Sequence, residues 1–491
     1  MAQTSDSPSP SLKLKTARTL KWNTIDRVSS QVLYALVGIV LANLLSKEDF
    51  GLVGALLVFQ AFGILFVDSG FGSALLQQKD PSRRDYSTVF WFNLAISLTI
   101  YAILFVCAPL IAKIFQGDQR LIPLSRVMFL SFILNGLGLV QTTRLMKEMD
   151  VRRIAFANII GLTISGGIGI WLAIGGYGAW ALVWQTVSLA AIKSAVLWVS
   201  TRWTPQFTFA IDSLKRIWRV GLSVFSSSSL NTFFLYIYSF VIGAFYNLGS
   251  LGVYTQADKW SKMGSASISQ VLTASFVPLL SKFQDDGENF RRYVSKINRF
   301  TAFILFPVMC GIAAIGTPLF HTLFSTKWDA AIILFQILTI RGIFVVLISL
   351  YNNYILSLGH ARQLFVVEVV KDGMIMLAIV ATIGFGSVEM LVWGQLGASA
   401  LTYIVTLFIV SRATGVSKRR YLLDMLPYIL LSGVMTAAAV GVMWWIGETH
   451  PLVALIVMIG AGIFVYLAGA KLLRLPELPE CASYIFGRFR R

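Results

Sequence analysis

The sequence predicts an all-α, polytopic membrane protein with about 14 transmembrane helices. Of its 491 residues, 56% are hydrophobic and 13% are charged, whereas soluble domains carry about 25% charged residues. The mean hydropathy is +0.73, and long apolar segments follow one another with short connections. Because a spanning helix needs roughly 20 apolar residues, the segments account for nearly the whole chain. A water-soluble enzyme of this length is therefore excluded.

The apolar segments form two blocks of six and a final pair. The first block covers residues 22–45, 50–77, 87–115, 121–143, 154–175 and 177–200. The second block covers residues 218–246, 249–281, 293–324, 329–358, 362–384 and 387–411, and the final pair covers 421–446 and 451–473. We therefore predict a cytosolic N-terminal tail (1–21), an N-lobe (22–200), a cytoplasmic inter-lobe linker (201–217), a C-lobe (218–411), two further helices (421–473) and a cytosolic C-terminal tail (474–491).

The charges of the connections predict the orientation. Basic residues concentrate in the tails and in every second connection, whereas the opposite set of connections holds only Lys47, Arg120 and Lys327. The positive-inside rule makes the basic set cytoplasmic, which gives an even number of spans and two cytoplasmic termini. The net charge of +18 then reflects membrane topology, and no nucleic-acid partner is expected.

Short sequence matches indicate that the two blocks are an internal repeat. The matching segments are PLIAKIF (109–115) with PLFHTLF (318–324), YGAWALVWQ (177–185) with FGSVEMLVWGQ (385–395), and Phe50-Gly51 with Leu251-Gly252. Since each block has an even number of spans, the copies have parallel topology. We therefore predict two pseudo-symmetric six-helix lobes around a central cavity, with two C-terminal helices beside them.

Basic residues inside the predicted spans are the main candidates for function. A basic side chain deep in the bilayer costs about 2.5–3.5 kcal/mol on insertion scales, so it must face a partner or a water-filled cavity. At about 1.5 Å rise per residue, Arg341, Lys259 and Lys371 lie near the midplane. Candidates at other depths are Arg27, Arg126, Arg299 and Lys193. We predict that these seven residues bind an anionic substrate, and a diphosphate fits best because guanidinium groups bind phosphate oxygens bidentately.

The alternative for each base is a structural ion pair. Neighbouring acids are available in the pairs Asp26/Arg27, Asp258/Lys259 and Glu368/Lys371. The other four bases have no acid within a helical turn, although an acid on another helix could serve. For Arg341 we favour the binding role.

Acids inside the spans are candidates for ion coupling, because burial raises the pKa of a carboxyl towards the working pH. The candidates are Asp68, Asp258 and Glu368. A counter-ion or helix-cap role is the alternative for each. For Asp68, the neighbouring Gly70 and Gly72 also favour a cap or hinge.

Other chemistry has little support in the sequence. Cys107, Cys310 and Cys481 are scattered without metal-ligand spacing, and no GxxxxGK[ST] phosphate loop occurs. No cofactor or metal is expected, and transport would be gradient-driven or downhill. A membrane glycosyltransferase or polymerase is disfavoured, because every outer connection is too short to carry a catalytic domain.

The stretch Val37–Asp80, continuing into YSTVFWFNL (86–94) and CAPLIAKIF (107–115), resembles the N-terminal signature of bacterial polysaccharide-lipid flippases. These are the Wzx-type exporters of O-antigen, capsular, colanic and teichuronic-type polysaccharides, within the multidrug/oligosaccharidyl-lipid/polysaccharide (MOP) exporter superfamily. The resemblance is strongest over about residues 20–160 and extends along the chain as two six-helix lobes plus two terminal helices.

The resemblance implies export of undecaprenyl-diphosphate-linked oligosaccharide repeat units across the bacterial inner membrane by alternating access, for cell-surface polysaccharide biosynthesis. Membrane lipids, a polysaccharide polymerase and chain-length proteins are the expected partners. One alternative is a cation-coupled multidrug exporter of the same superfamily. It is disfavoured because cationic drugs favour an acidic cavity, whereas bases outnumber acids in the spans.

Overall fold

The predicted all-α fold class is confirmed by a computed structural model, which describes residues 10–68, 70–280, 283, 286–446 and 450–486. Within these ranges the regular structure is helical and contains no β-strand. The chain divides into two compact units, Met1–Gly252 and Val253–Arg491. Parts of both predicted tails, residues 1–9 and 487–491, lie outside the described ranges.

Within its described residues, unit 1 is built from nine helices and the first turn of a tenth. They are α1 (Pro10–Leu44), α2 (Lys47–Asp68), α3 (Phe71–Gln77), α4 (Arg83–Ile114), α5 (Leu121–Met128), α6 (Leu130–Lys147), α7 (Val151–Ile174), α8 (Ala179–Thr201), α9 (Ile211–Phe245) and the start of α10 (Leu248–Leu280). Helices α2 and α3 together form one predicted span, which is interrupted at Gly70, where φ is +69°. Glycine suits this left-handed conformation because it has no Cβ.

In the part of unit 2 that the structure describes, the rest of α10 and a short 3-10 helix (Thr326–Trp328) are joined by eight further α-helices. They are α11 (Gly287–Ala314), α12 (Gly316–Leu323), α13 (Asp329–Ser357), α14 (Ala361–Ile383), α15 (Val388–Thr414), α16 (Lys418–Ile446), α17 (Pro451–Leu472) and α18 (Glu477–Phe486). Helices α13 and α16 contribute four fully buried tyrosines to its core, at positions 351, 354, 421 and 428.

Twelve helices of the described part are long and apolar enough to cross a membrane. Two more helices, α10 and α14, coincide with predicted spans but are not among the twelve. Each has three charged residues near its middle, namely Asp258, Lys259 and Lys262 in α10 and Glu368, Lys371 and Asp372 in α14. The number of fourteen spans therefore stays a prediction, and the two helices in question carry several of the candidate functional charges.

Successive spans of unit 1 run in opposite directions. The contacts between their connections show this, because alternate connections lie together at opposite ends of the unit. At one end, the Asp49 carboxylate contacts Gly178, and the Gln116 side chain donates to the carbonyl of Tyr246. At the other end, the Lys147 ammonium donates to carbonyls at the end of α3, including that of Leu75 at 3.3 Å. The alternation agrees with the two sets of connections that differ in charge.

The boundaries of two predicted segments differ in the structure. Helix α1 begins at Pro10, so residues 10–21 of the predicted tail are helical. The non-helical part of the predicted linker is confined to residues 202–210. It is held against α4, where Trp91 Nε1 donates to the Gln206 carbonyl at 2.8 Å. Helix α9 belongs to unit 1, whereas the sequence places it in the C-lobe, and the lobe boundaries stay a prediction.

Two glycines allow α2 and the first turn of α10 to touch through their backbones. A Cβ added at Gly51 would overlap the carbonyl oxygen of Leu248, and one added at Gly252 would overlap that of Lys47. The contact is reciprocal, since each glycine meets the residue four positions before the other. These glycines belong to the Phe50-Gly51 and Leu251-Gly252 match found in the sequence. The matching glycines of the two predicted repeat copies therefore lie at the same helix contact.

We expect Gly51→Ala to lower the melting temperature of the purified protein, because even one methyl group must push the two backbones apart. Overpacking of this kind costs about 1–3 kcal/mol. Gly167→Ala in α7 is the matched control, because a Cβ there meets nothing within 4 Å and alanine favours a helix. A Gly51→Ala protein that melts with the wild type would contradict the close contact.

Candidate functional site

Arg341 lies on α13, about 18 Å from its first residue at 1.5 Å rise per residue, and is partly buried. Its Nε donates to the Ser399 hydroxyl of α15 at 3.2 Å. Ser399 in turn donates to the carbonyl of Gln395 at 3.0 Å, which fixes the hydroxyl oxygen as an acceptor for the guanidinium. Among the described residues, Arg341 forms no ion pair. It is therefore a positioned cation that no carboxylate of the described residues neutralises.

Lys371 of α14 has the acidic partner that its spacing suggests. Its ammonium pairs with the Glu368 carboxylate and lies 3.8 Å from an oxygen of Asp372. The Glu368 carboxylate also accepts from Asn352 of α13 at 3.4 Å. These contacts favour a structural ion pair for Lys371 and Glu368, so their predicted binding and coupling roles stay unsupported hypotheses.

In α10, the Asp258 carboxylate pairs with a lysine one helical turn further along the chain. The Asp258 carboxylate accepts from Lys262 at 2.6 Å, one helical turn further on, whereas the Lys259 ammonium lies 5.3 Å from the Trp260 ring centroid. This arrangement favours a counter-ion role for Asp258, and the binding role of Lys259 stays a prediction.

Arg299 of α11 lies in a cluster with one buried and one partly buried carboxylate. Its Nε donates to Glu477 of α18 at 3.1 Å, and its Nη1 lies 3.7 Å from Asp424 of α16. Tyr428 donates to the same Glu477 carboxylate, and Ser295 donates to Asp424. Sequence reasoning found the base but missed both acids, because they lie far along the chain on other helices. The contacts favour a structural role for Arg299.

The candidate bases of unit 1 lie in different environments. The Arg126 guanidinium is 4.3 Å from the Phe105 ring centroid, which is a cation–π contact. Lys193 of α8 lies against α7, with its Cβ 3.6 Å from the position that a Cβ would take at Gly161. Arg27 is exposed. Asp26 accepts from Asn158 at 3.1 Å, which gives this acid a helix-packing partner.

Asp68 is the last residue of α2, directly before the interruption at Gly70. Its Oδ1 lies 3.0 Å from the Cβ position of Gly72, and that position is also 3.3 Å from the Thr143 hydroxyl. The carboxylate therefore lies between α3 and α6. This placement is compatible with both the hinge and the coupling hypotheses.

An apolar cavity of about 420 Å³ lies in unit 2 beside α11, α16 and α17. Pro307, Met435, Met458 and Gly462 are among its lining residues. Tyr466 also lines the cavity. Its hydroxyl donates to the Phe303 carbonyl at 2.8 Å, so the ring is the part of this side chain that is available to the cavity. The volume lies within the range of about 300–1,000 Å³ that holds small-molecule ligands.

The family described as "Polysaccharide biosynthesis protein" matches residues 40–333. The chain belongs to this family. Among its relatives is the teichuronic acid biosynthesis protein TuaB of Bacillus subtilis (strain 168), which is 24% identical and covers 88% of this chain and 90% of its own. The lipopolysaccharide biosynthesis protein WzxC of Escherichia coli (strain K12) is 23% identical and covers 88% of this chain and 89% of its own. The predicted resemblance is therefore confirmed.

The fold of this polysaccharide biosynthesis protein is shared with solved transporters. The inward closed conformation of the lipid II flippase MurJ superimposes with a TM-score of 0.73 at 15% identity, over 92% of this chain and 98% of that chain. An inward-facing MATE family transporter of the MOP superfamily gives a TM-score of 0.59 at 16% identity, over 79% and 96% of the two chains. Both similarities show the MOP-type fold.

Proposed function

We propose that this protein flips undecaprenyl-diphosphate-linked oligosaccharide units from the cytoplasmic to the periplasmic leaflet of the bacterial inner membrane by alternating access, for cell-surface polysaccharide biosynthesis. The observation that carries the proposal is the cation of Arg341, which lies near the middle of a spanning helix and has no carboxylate partner among the described residues. Membership of the polysaccharide biosynthesis family supports an oligosaccharide as cargo.

A diphosphate suits Arg341 better than a cation does. A guanidinium has five N–H donors, and among the described residues Arg341 engages a partner only through Nε, which donates to Ser399. The remaining donors can form the bidentate, charge-assisted hydrogen bonds that phosphate oxygens accept. A cationic drug would instead meet an uncompensated like charge, which costs free energy in a low-dielectric environment.

The hydrocarbon chain of the substrate needs an apolar route outside any polar cavity. We propose that part of the prenyl chain occupies the apolar cavity beside α11, α16 and α17. Gly311 and Gly462 line this cavity, and because they have no side chains they leave space in it. Apolar surface removed from water contributes about 25 cal/mol for each Å², but the prenyl chain is equally stable in the lipid of the bilayer. The cavity therefore positions the prenyl chain more than it adds binding affinity.

Of the three acids, Asp68 fits ion coupling best, because Asp258 and Glu368 already have cationic partners in Lys262 and Lys371. We expect Asp68→Asn to remove the response of transport to an imposed proton gradient. The assay is flipping in proteoliposomes with and without the gradient. A full response in Asp68→Asn would exclude Asp68 as the coupling group, and a wild-type protein without any response would indicate downhill transport.

The binding step is tested by comparing short-chain prenyl ligands on the purified protein. Microscale thermophoresis should give the affinity order prenyl diphosphate, prenyl monophosphate, prenyl alcohol, with the diphosphate affinity falling as salt rises. Tighter binding of a cationic dye such as ethidium than of the diphosphate would contradict the proposal and favour the multidrug exporter.

A further inference from the structure

A second cavity, of about 260 Å³, lies at the end of unit 1 that the charges of the connections predict to be periplasmic. The start of α2 and the connections after α4 and α7 contribute to it. Its polar and aromatic lining comes from Asp49, Arg120, Tyr177 and Trp180. None of these residues belongs to the intramembrane charges considered above.

The tyrosine of this cavity is held in place by the glycines around it. Tyr177 is flanked by Gly176 and Gly178, which have φ of +77° and +57°, so the chain turns sharply on both sides of it. The ring packs back over Gly175, with its Cε2 3.0 Å from the Cβ position there. Even so, 58% of Tyr177 is exposed. A rigid, accessible aromatic face therefore borders the cavity.

The charged groups of the cavity are also fixed before any ligand binds. The Arg120 guanidinium donates to both Asp118 oxygens at 2.7–3.1 Å, and this hydrogen bonding lowers the pKa of the Asp118 carboxyl. Asp49 accepts from the Ser46 backbone N–H at 3.0 Å through one oxygen. Its other oxygen, Oδ1, lies 2.8 Å from the Cβ position of Gly178.

These neighbours exclude a simple anion site. Arg120 is neutralised by Asp118, and Asp49 adds a negative charge to the cavity wall. A phosphate would therefore meet no net positive charge. A ligand with many hydroxyl groups and one apolar face suits the cavity better, because hydroxyls both donate to carboxylates and accept from guanidinium groups, and apolar ring faces pack on aromatic side chains.

We propose that this cavity is a periplasmic subsite for one pyranose ring of the transported oligosaccharide, with Tyr177 and Trp180 as stacking platforms and Asp49 and Arg120 as partners for the ring hydroxyls. The inference rests on the proposed flippase function. The cavity is smaller than the roughly 300–1,000 Å³ of pockets for drug-sized ligands, so it suits a single sugar ring.

The internal repeat indicates that the subsite belongs to one half of the protein. In the match between residues 177–185 and 385–395, Phe385 takes the place of Tyr177. The place of Trp180 falls at Val388 or Glu389, neither of which is aromatic. The aromatic pair therefore occurs in the first block and not at the matching positions of the second.

Saturation-transfer NMR on the purified full-length protein tests the subsite. The probes are free glucose, galactose, mannose, N-acetylglucosamine and glucuronate. At least one should receive saturation on its ring protons, and Tyr177→Ala and Trp180→Ala should each weaken its binding about three- to tenfold, the effect expected for one aromatic contact. Trp171→Ala is the matched control, because Trp171 is 70% exposed nearby but does not line the cavity.

The outcomes separate this inference from the proposed function. If none of the sugars binds, or if Tyr177→Ala and Trp180→Ala bind them as the wild type does, the subsite is wrong whatever the transport assay shows. If sugar binding depends on both aromatic residues but lipid-linked oligosaccharide is not flipped, the subsite stands and the flippase function fails. Tyr177→Ala should melt with the wild type, since Tyr177 is a largely exposed side chain.

Discussion

Arg341→Ala should abolish transport of a diphosphate-linked substrate while leaving the protein folded. A charge-assisted hydrogen bond contributes about 1.5–3 kcal/mol, so we expect the affinity for prenyl diphosphate to fall about 10- to 100-fold. The melting temperature should stay close to that of the wild type, because Arg341 has one hydrogen bond to Ser399 and no ion pair among the described residues. The measurements are diphosphate affinity, transport rate and thermal melting on the same preparation.

Two further variants separate charge from geometry at this position. Arg341→Lys keeps the charge but loses the planar fork, so its affinity should lie between those of the wild type and Arg341→Ala. Ser399→Ala keeps the guanidinium but removes the hydroxyl that orients it, and a smaller loss, about threefold, is expected. Normal transport by a well-folded Arg341→Ala protein would show that Arg341 is not part of the substrate site.

Arg299→Ala should have the opposite effect, a large loss of stability whatever its effect on transport. Removing this guanidinium leaves Glu477 and Asp424 without their cation, and their side chains are only 5% and 12% exposed. Breaking a fully buried pair costs about 3–5 kcal/mol. We expect roughly 2–3 kcal/mol, since Arg299 itself is 37% exposed and water screens part of the interaction. Thermal melting of the purified protein, followed by size-exclusion chromatography, is the readout.

A double variant provides the control for this prediction. Glu477→Gln should recover part of the stability lost in an Arg299→Met background, because the amide keeps a hydrogen-bonding oxygen for Tyr428 without a buried charge. A matched comparison is Lys296→Ala, which breaks the pair with Glu480 between side chains that are 52% and 41% exposed and should cost less than about 1 kcal/mol. Equal melting temperatures for Arg299→Ala and Lys296→Ala would contradict the structural role.

Sequence reasoning predicted the fold because a bilayer imposes simple rules on a chain. Spanning length, apolar composition and the distribution of Lys and Arg fix the number of segments and their direction with little dependence on distant contacts. The same rules are less decisive at α10 and α14. Both helices have spanning length, but charges at positions 258–262 and 368–372 lower their hydropathy. Charged side chains make a span less apolar whether they pair with one another or bind a ligand, so the hydropathy pattern weakens at both helices.

The candidate charges were found from sequence, but their partners on other helices were not. Lys371 and Glu368 pair within one helix at the spacing of a helical turn, which is the pair that the structural alternative named. The partners of Arg299 lie on α16 and α18, and no local pattern connects them to α11. The hydroxyl that orients Arg341 could not be identified from the sequence either, since Ser399 on α15 is one of many small polar residues in the spans.

Transport of a lipid-linked oligosaccharide by the purified protein tests the central claim most directly. Proteoliposomes would contain undecaprenyl-diphosphate-oligosaccharide, and the rate at which inner-leaflet sugar becomes accessible to an added, membrane-impermeant glycosidase would be measured with wild-type protein, with Arg341→Ala and without protein. We expect the wild type to accelerate exposure of the sugar and Arg341→Ala to match the protein-free liposomes. No acceleration by the wild type with several glycans, with or without a proton or sodium gradient, would contradict the flippase function.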